Sequence, residues 1–533
     1  MISLNKYFNT SVYLLYLFLF QQMTLSLLLR MAPGAASRTA PIFQLGKCLA
    51  IPMQLHVTNR QRLCNRIRDK LSSLHTGRPL TQSLSGVYVV LQGGTDTFLG
   101  DSDAANAFRQ ESFFHWTFGV LEPDCYGTIE VSTGRSALFI PKLSEEAAIY
   151  DGESPSCEQF SKKYGVDETH YTDEIVSCLN SWNATLLLTL CGINTDSHRP
   201  TVEAKFNGIE KFQVNRDILH HEIVSCRLIK TNMELDVIRY TNRISSAAHR
   251  HLMRSVEPGM YQYQAESIFR HYCYFHGGMR HMSYTCIAAT GCDCAVLHYG
   301  HAGAPNEHQI MNGEMCLFDM GGEYYCYASD ITCSFPVNGR FTDDQKLIYN
   351  AVLRASRAVL NEIKPGADWV RLHQLAEREI LIHLKDGGLL LGDINEMMKS
   401  RLGAIFMPHG LGHLLGCDVH DVGGYSNDAP PRSRLPGLRN LRTSRLLQAN
   451  MVMTVEPGCY FIESLLNQAL SSDMLGKFID RDQIERFRKF GGVRIEDNII
   501  VTETGYELLT DVPRTVEEIE EWMSSKSECN GHL

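Results

Sequence analysis

Nothing in the 533-residue chain offers a long run of lysine or arginine, and its basic clusters, such as Pro430-Pro431-Arg432-Ser433-Arg434, are short. With a formal net charge of −10, this argues against a nucleic-acid surface. There is no phosphate-binding glycine loop and no GxGxxG, which removes the commonest nucleotide cradles. No internal repeat is visible, so a solenoid is excluded. The 17 cysteines are scattered and odd in number, and the densest group (Cys286, Cys292, Cys294) lacks the paired CxxC spacing of a zinc site. They read as reduced core thiols of a cytoplasmic protein. One apolar stretch, residues 11–30, resembles a signal or anchor segment, but two glutamines interrupt it and no small-x-small cleavage site precedes Arg30. Met31 is a second plausible start, so residues 1–30 are expected to be an extension outside the fold and membrane association is not expected.

What remains is an ordinary globular composition, 44% hydrophobic and 21% charged, long enough for two or three domains. Residues 44–225 alternate short apolar runs (86–94, 136–143, 185–192) with helical stretches (58–74, 173–182), which predicts an α/β domain over 44–227. From 225 to 256 apolar residues recur at helical spacing in one long amphipathic segment. Helices over 260–276, 342–362 and 368–386 follow, with strands over 282–299, 316–335, 451–463 and 491–503. The boundary is expected near 227, with a second domain over 228–533 and residues 1–43 outside both.

A second scarcity is local. "CLFDMGGEYYCYASDITCSF" (316–335) reads as paired strands joined by a glycine turn, yet it carries Asp319 and Asp330 with no lysine or arginine between 316 and 335. A carboxylate buried without a partner loses several kcal/mol of solvation, so positive charge must come from elsewhere. Three further residues stand in similar settings. His413 lies in "HGLGHLLGCDVHD" (409–421), Glu456 precedes a Pro-Gly turn in "MVMTVEPGCYF" (451–461), and Glu496 sits in "GGVRIEDNIIV" (491–501), two residues after Arg494 on one strand face. Each alone is ordinary, because strand acids usually face water and lone histidines usually belong to a core. Together they need five coincidences or one metal centre. Four carboxylates and one imidazole form a hard, oxygen-rich set suited to two divalent cations, Mn²⁺, Co²⁺ or Fe²⁺, rather than a thiolate-bound zinc. Two such ions can hold a water between them and lower its pKa, which is a hydrolase centre.

At these residues the sequence resembles the pita-bread-fold metallopeptidases, and among them the prolidase (Xaa-Pro dipeptidase) family. The D-x10-D pair, "HGLGHLLGCDVHD", "TVEPG" and "GGVRIED" match that group's motifs in order, and the similarity extends over most of 44–520, including "AFRQESFFHW" (107–116), "LRTSR" (441–445) and "VPRTVEEIE" (512–520). The resemblance implies an α/β (α+β) chain with a creatinase-like N-terminal domain and a pita-bread catalytic domain. It implies two Mn²⁺ per subunit, with Asp319 on one ion, Asp330 and Glu496 bridging, and His413 and Glu456 completing the second. Glu456 would also carry a proton from water to the leaving nitrogen. His420 would sit by the scissile carbonyl, Arg442 and His298 would hold the proline carboxylate, Tyr284 would line the pocket, and Arg494 would steady the carboxylates. The implied substrates are dipeptides ending in proline or hydroxyproline, as released from collagen-type peptides, and the implied assembly is a homodimer. Three positions depart from the pattern: Cys417 replaces a branched aliphatic, Asn450 a turn glycine, and Tyr150 a tryptophan that can reach the partner's site. The rival readings are an aminopeptidase P-like enzyme acting on longer peptides and a non-catalytic binding module, which typically lacks one or more of the five ligands.

Overall fold

The computed structural model describes residues 41–74, 84–153 and 155–525, so the expectations for residues 1–30 lie outside the described range. Among the described residues no helix is long and apolar enough to cross a membrane. Helix α1 (Gln54–Leu74) leads into strand β1 (Val87–Gln92), and helix α2 (Ser112–Phe118) precedes β2 (Tyr126–Glu130), β3 (Ser136–Ile140), β4 (Glu168–Tyr171), β5 (Leu186–Thr189) and β6 (Gln213–Asn215). These form one mixed sheet in the order β4-β3-β2-β1-β5-β6. The interior strand β1, VYVVLQ, is apolar at nearly every position because both of its faces are covered.

The long amphipathic segment expected over 225–256 is two helices, α3 (Leu219–Leu228) and α4 (Asn232–Ser255). Thr231 separates them: its hydroxyl accepts from Glu234 N at 3.3 Å while Glu234 Oε2 accepts from Thr231 N at 2.8 Å, a reciprocal cap that starts a new helix where periodicity alone reads through. The expected boundary at 227 falls in the last turn of α3. Helix α5 (Gln262–Gly277) follows, then the antiparallel strands β7 (Ile287–Thr290), β8 (Met315–Asp319) and β9 (Thr332–Pro336). Helices α6 (Asp343–Glu362) and α7 (Trp369–Asp386) pack on each other. Strands β10 (Val452–Val455), β11 (Gly458–Tyr460), β12 (Gly492–Arg494), β13 (Asp497–Val501) and β14 (Tyr506–Leu508) complete two further small antiparallel sheets, β10-β13-β14 and β11-β12.

Polar side chains fasten the N-terminal half to the C-terminal half. Glu234, only 1% exposed, accepts from Trp116 Nε1 at 2.8 Å and from the Tyr327 hydroxyl at 3.1 Å. Arg227 donates to Asp418 Oδ2 and Asp421 Oδ1, both at 2.7 Å, and lies 4.4 Å over the Phe113 ring. Lys230 reaches Asp421 Oδ2 at 2.8 Å, and Ser112 reaches Asp418 Oδ1 at 2.6 Å. The segment bearing His413 and His420 is thereby held from the N-terminal side by charge-assisted bonds. Breaking a buried pair by removing one partner leaves uncompensated charge, so Arg227→Met should lower stability by about 3 kcal/mol in urea unfolding. A loss within about 0.5 kcal/mol, the range of ordinary surface substitutions, would show that this network is dispensable.

Candidate metal centre

The glycines between the two aspartates do not make the turn. The reversal is at Tyr325-Cys326, whose φ values of 51° and 60° place both in the left-handed region, with Tyr324 and Tyr327 exchanging backbone hydrogen bonds at 3.0 Å. Tyr325 tolerates this because its ring is buried, stacked 4.5 Å from Phe43 and edge-on to His115. Gly321 serves close packing instead, because a Cβ there would lie 1.8 Å from Ser329 O. That close approach, with Met320 N donating to Ile331 O at 3.1 Å, folds residues 320–331 back so that both acids border one cavity. Asp319 ends β8 opposite Ile287 and Thr332, whereas Asp330 lies in irregular backbone two residues before β9, not in a strand as expected. Glu496 likewise occupies the break between β12 and β13, where its amide donates to Thr332 O and its Oε2 accepts from the Thr332 hydroxyl at 2.7 Å.

His413 is set against β10 by the same device. A Cβ on Gly412 would lie 2.1 Å from Thr454 O, and the His413 amide donates to the Thr454 hydroxyl at 3.0 Å. Its Nδ1 lies 3.0 Å from Leu414 O, which holds the ring proton there and turns Nε2 toward Asp330 Oδ2 at 3.2 Å and Glu456 Oε1 at 3.6 Å. Asp330, His413 and Glu496 each offer a ligand atom within 4.8 Å of the others. Glu456 borders this trio, following β10 with its amide on Leu411 O. Asp319 stands apart from it, drawn to Arg494 Nη2 and the Tyr284 hydroxyl, both at 2.5 Å.

These five residues line one pocket of about 780 Å³ with His298, His420, Arg442, Tyr284 and Arg494, so all ten side chains expected at the site border the same cavity. Several residues not anticipated join them. His409, its Nδ1 proton on Gly410 O at 2.7 Å, accepts at Nε2 from the Tyr460 hydroxyl at 2.9 Å and lies 3.8 Å from Glu456. Tyr460 in turn accepts from Arg494 Nη1 at 2.8 Å, and Arg494 Nε bonds Thr332 at 3.1 Å. Thr332 could have been anticipated from strand alternation after Asp330. Asp196 and His198, from a loop of the N-terminal half, carry no local signal of their role because their neighbours are distant in sequence.

The pocket is electrically divided. At its inner end burial and mutual repulsion act on the acids: burial, partly offset by Arg494, takes Asp319 up to about 6, and burial against the opposing pull of His413 takes Glu456 up to about 7. Glu496 is held well above the carboxylate range by burial and by Asp330, Glu456 and Asp319. Burial disfavours charge on His413, but Asp330 and Glu456 outweigh it and raise the imidazole. Four carboxylates thus face one guanidinium, Arg494, so their charge is not matched by protein cations. An oxygen-rich donor set that binds its own protons tightly, with an imidazole lone pair aimed into it, fits hard divalent cations. The same cavity is also lined by Arg432, Arg439, Arg442, His298 and His301, and of these Arg432 and Arg442 pair with Asp196 rather than with the four acids. Burial and neighbouring cations lower His298, and burial with His413 drives His420 down to about 2, so both are neutral donors near pH 7.

The model of metallopeptidase family M24 matches residues 236–503, and that of the aminopeptidase P N-terminal domain matches 56–186. The chain belongs to metallopeptidase family M24. Its C-terminal part is the family's pita-bread domain, preceded by the aminopeptidase P-type N-terminal domain. The Xaa-Pro dipeptidase of Homo sapiens is 56% identical over 490 residues, which cover 92% of this chain and 97% of that protein. A probable Xaa-Pro aminopeptidase of Verticillium alfalfae is 35% identical over 438 residues, 82% of this chain and 92% of the relative. Among solved structures, zinc-substituted Escherichia coli aminopeptidase P in complex with product superimposes with a TM-score of 0.70 at 28% identity, covering 90% of this chain and 99% of that one.

The raised Glu456 carboxyl gives this M24 centre a testable pH signature. Its folded value of about 7 exceeds the unfolded value near 4, so the cost of its charge is full above pH 7 and fades as pH falls through 7 and the folded group protonates. In chelator, Glu456→Gln should therefore be more stable than wild type at pH 8, with the advantage shrinking as pH falls from 7 and gone only below about pH 4, where the unfolded carboxyl is protonated too. Manganese as probe should close most of that gap at pH 8, stabilising wild type by about 3 kcal/mol at a hundredfold excess over Kd and the variant by much less. An advantage independent of pH, or equal stabilisation of both proteins by manganese, would contradict the charge assignment.

Proposed function

We propose that this M24 metallopeptidase hydrolyses dipeptides whose second residue is proline or hydroxyproline, using two divalent cations, manganese by preference, with Co²⁺ or Fe²⁺ able to substitute. The observation that carries the reading is the divided pocket, in which an acidic, cation-demanding end faces a basic end within a single cavity. A zwitterionic dipeptide has its two charges at matching ends; a longer peptide would leave Arg442 and His298 facing a neutral amide. The 56% identity to a protein named for dipeptides, against 35% to one named for aminopeptidase action, points the same way.

In this mechanism Asp319, Asp330, His413, Glu456 and Glu496 would hold the cations, with Asp330 and Glu496 serving both. Divalent cations held there supply positive charge that polarises a carbonyl and acidifies water. Glu456, with its carboxyl near neutrality, takes the proton of the attacking water and delivers it to the departing nitrogen. That delivery is essential, because the proline ring nitrogen carries no hydrogen in the Xaa-Pro bond and leaves poorly unprotonated. Neutral His420 donates to the carbonyl oxygen as negative charge gathers there, and Tyr284 shapes the wall beside Asp319. Arg442 offers a planar fork to the substrate carboxylate with His298 beside it, and Arg494 keeps the inner acids in place through Asp319, Thr332 and Tyr460.

The cytoplasmic location is part of the same proposal, supported by sixteen described cysteines that are all free, as a reducing compartment keeps them. So are the homodimer, for which Tyr150, 82% exposed on the short helix Glu145–Asp151, is available, and a role in recovering proline from collagen-type peptides. The test is hydrolysis of Gly-Pro and Gly-Pro-Gly by the manganese-loaded enzyme. Gly-Pro should be the better substrate, and Asp330→Asn should lose more than the roughly 100-fold typical of outer-shell partners of a metal. Preference for Gly-Pro-Gly would instead establish the aminopeptidase reading.

A further inference from the structure

One acidic residue sits at the basic end of the pocket. Asp196 lies at the tip of a hairpin of the N-terminal half, closed by pairing of Ile193 with Pro200 and by Asn194 N donating to Arg199 O at 2.9 Å. The Asn194 side chain accepts from the amides of Asp196 and Ser197, both at 2.9 Å, so the tip is locally fixed and Asp196 is aimed rather than loose. Its Oδ1 accepts from Arg432 Nη2 at 2.9 Å, and the same guanidinium donates to Thr195 O at 3.3 Å and to Leu441 O at 2.5 Å while lying 4.1 Å over the Tyr425 ring. Its Oδ2 is 3.7 Å from Arg442 Nη1, a charge contact beyond hydrogen-bond reach. Among the described residues the Arg442 guanidinium donates no hydrogen bond, although it borders the cavity and its only ion-pair partner is Asp196.

We propose that Asp196 is a specificity-determining residue that limits this site to substrates ending at Arg442, by fastening the 193–200 hairpin across the basic end of the pocket. The inference rests on the dipeptidase reading and deepens it. Asp196 attracts Arg442 strongly enough to orient it, yet leaves its donors open for a substrate carboxylate. A third residue would have to extend toward the Asp196–Arg432 pair, and its own carboxylate would arrive beside the Asp196 charge. Rejection of longer peptides is thus built as a repulsive element, with the attractive one already supplied by Arg442. Like charges forced together at a partly buried position cost enough to change selectivity by an order of magnitude or more.

The experiment measures kcat and KM on Gly-Pro and kcat/KM on Gly-Pro-Gly for the manganese-loaded wild type, Asp196→Asn and Arg432→Gln. The selectivity ratio, dipeptide over tripeptide, should fall about tenfold or more in both variants. In Asp196→Asn the loss on Gly-Pro should fall mainly on KM, because Arg442 loses the charge that aims it while the hydrolytic end is untouched; a merely structural defect would lower kcat and thermal stability without moving the ratio. If wild type fails to cleave Gly-Pro, the dipeptidase reading fails. If wild type cleaves it and the ratio is unchanged in either folded variant, the role of Asp196 alone is overturned.

Discussion

Four carboxylates share one end of a pocket with a single guanidinium in hydrogen-bond contact, Arg494, and much of the surrounding structure follows from keeping them there. Like charges in a poorly solvated space drive one another apart, so their backbone must be held by contacts that do not depend on the acids themselves. Gly321 against Ser329 O, Gly412 against Thr454 O, and the Glu496 amide on Thr332 O meet that need. Arg494 meets the electrical need in part, binding Asp319, Tyr460 and Thr332 together. The remaining negative charge is the property that makes the site a cation centre.

The two halves of the chain divide the labour. The C-terminal half supplies every acid at the inner end, on strand ends and breaks of three small sheets. Among the described residues the N-terminal half holds none of the five proposed ligands, but it borders the cavity with Thr195, Asp196 and His198 and clamps the 416–421 segment through Arg109, Ser112 and Arg227. His420 stands two residues beyond Asp418, so its place at the pocket depends on that clamp.

What could be read from the sequence is the part written as local contrast. Asp319 and Asp330 stood out because no cation was near them in an apolar stretch, and His413, Glu456 and Glu496 because glycine, proline and apolar neighbours framed them; all five border one cavity. Asn450 in its left-handed turn (φ 66°) was legible for the same local reason. The residues missed act across distance. Asp196 meets Arg432 from 236 residues away, and His409 meets Tyr460 across 51. The Gly321-Gly322 pair misled because glycine serves tight turns and close backbone contact alike, and only the fold distinguishes them. The helix break at 229–231 was missed because a capping box inside an amphipathic stretch interrupts no apolar period.

The central claim is that these acids gather cations between them. Crystals grown with manganese and measured at the metal's absorption edge answer that most directly. Two anomalous peaks are predicted inside the pocket, separated by Asp330 and Glu496, with His413 and Glu456 facing one and Asp319 the other. Density lying elsewhere, or a well-ordered pocket free of anomalous signal at saturating manganese, would contradict it.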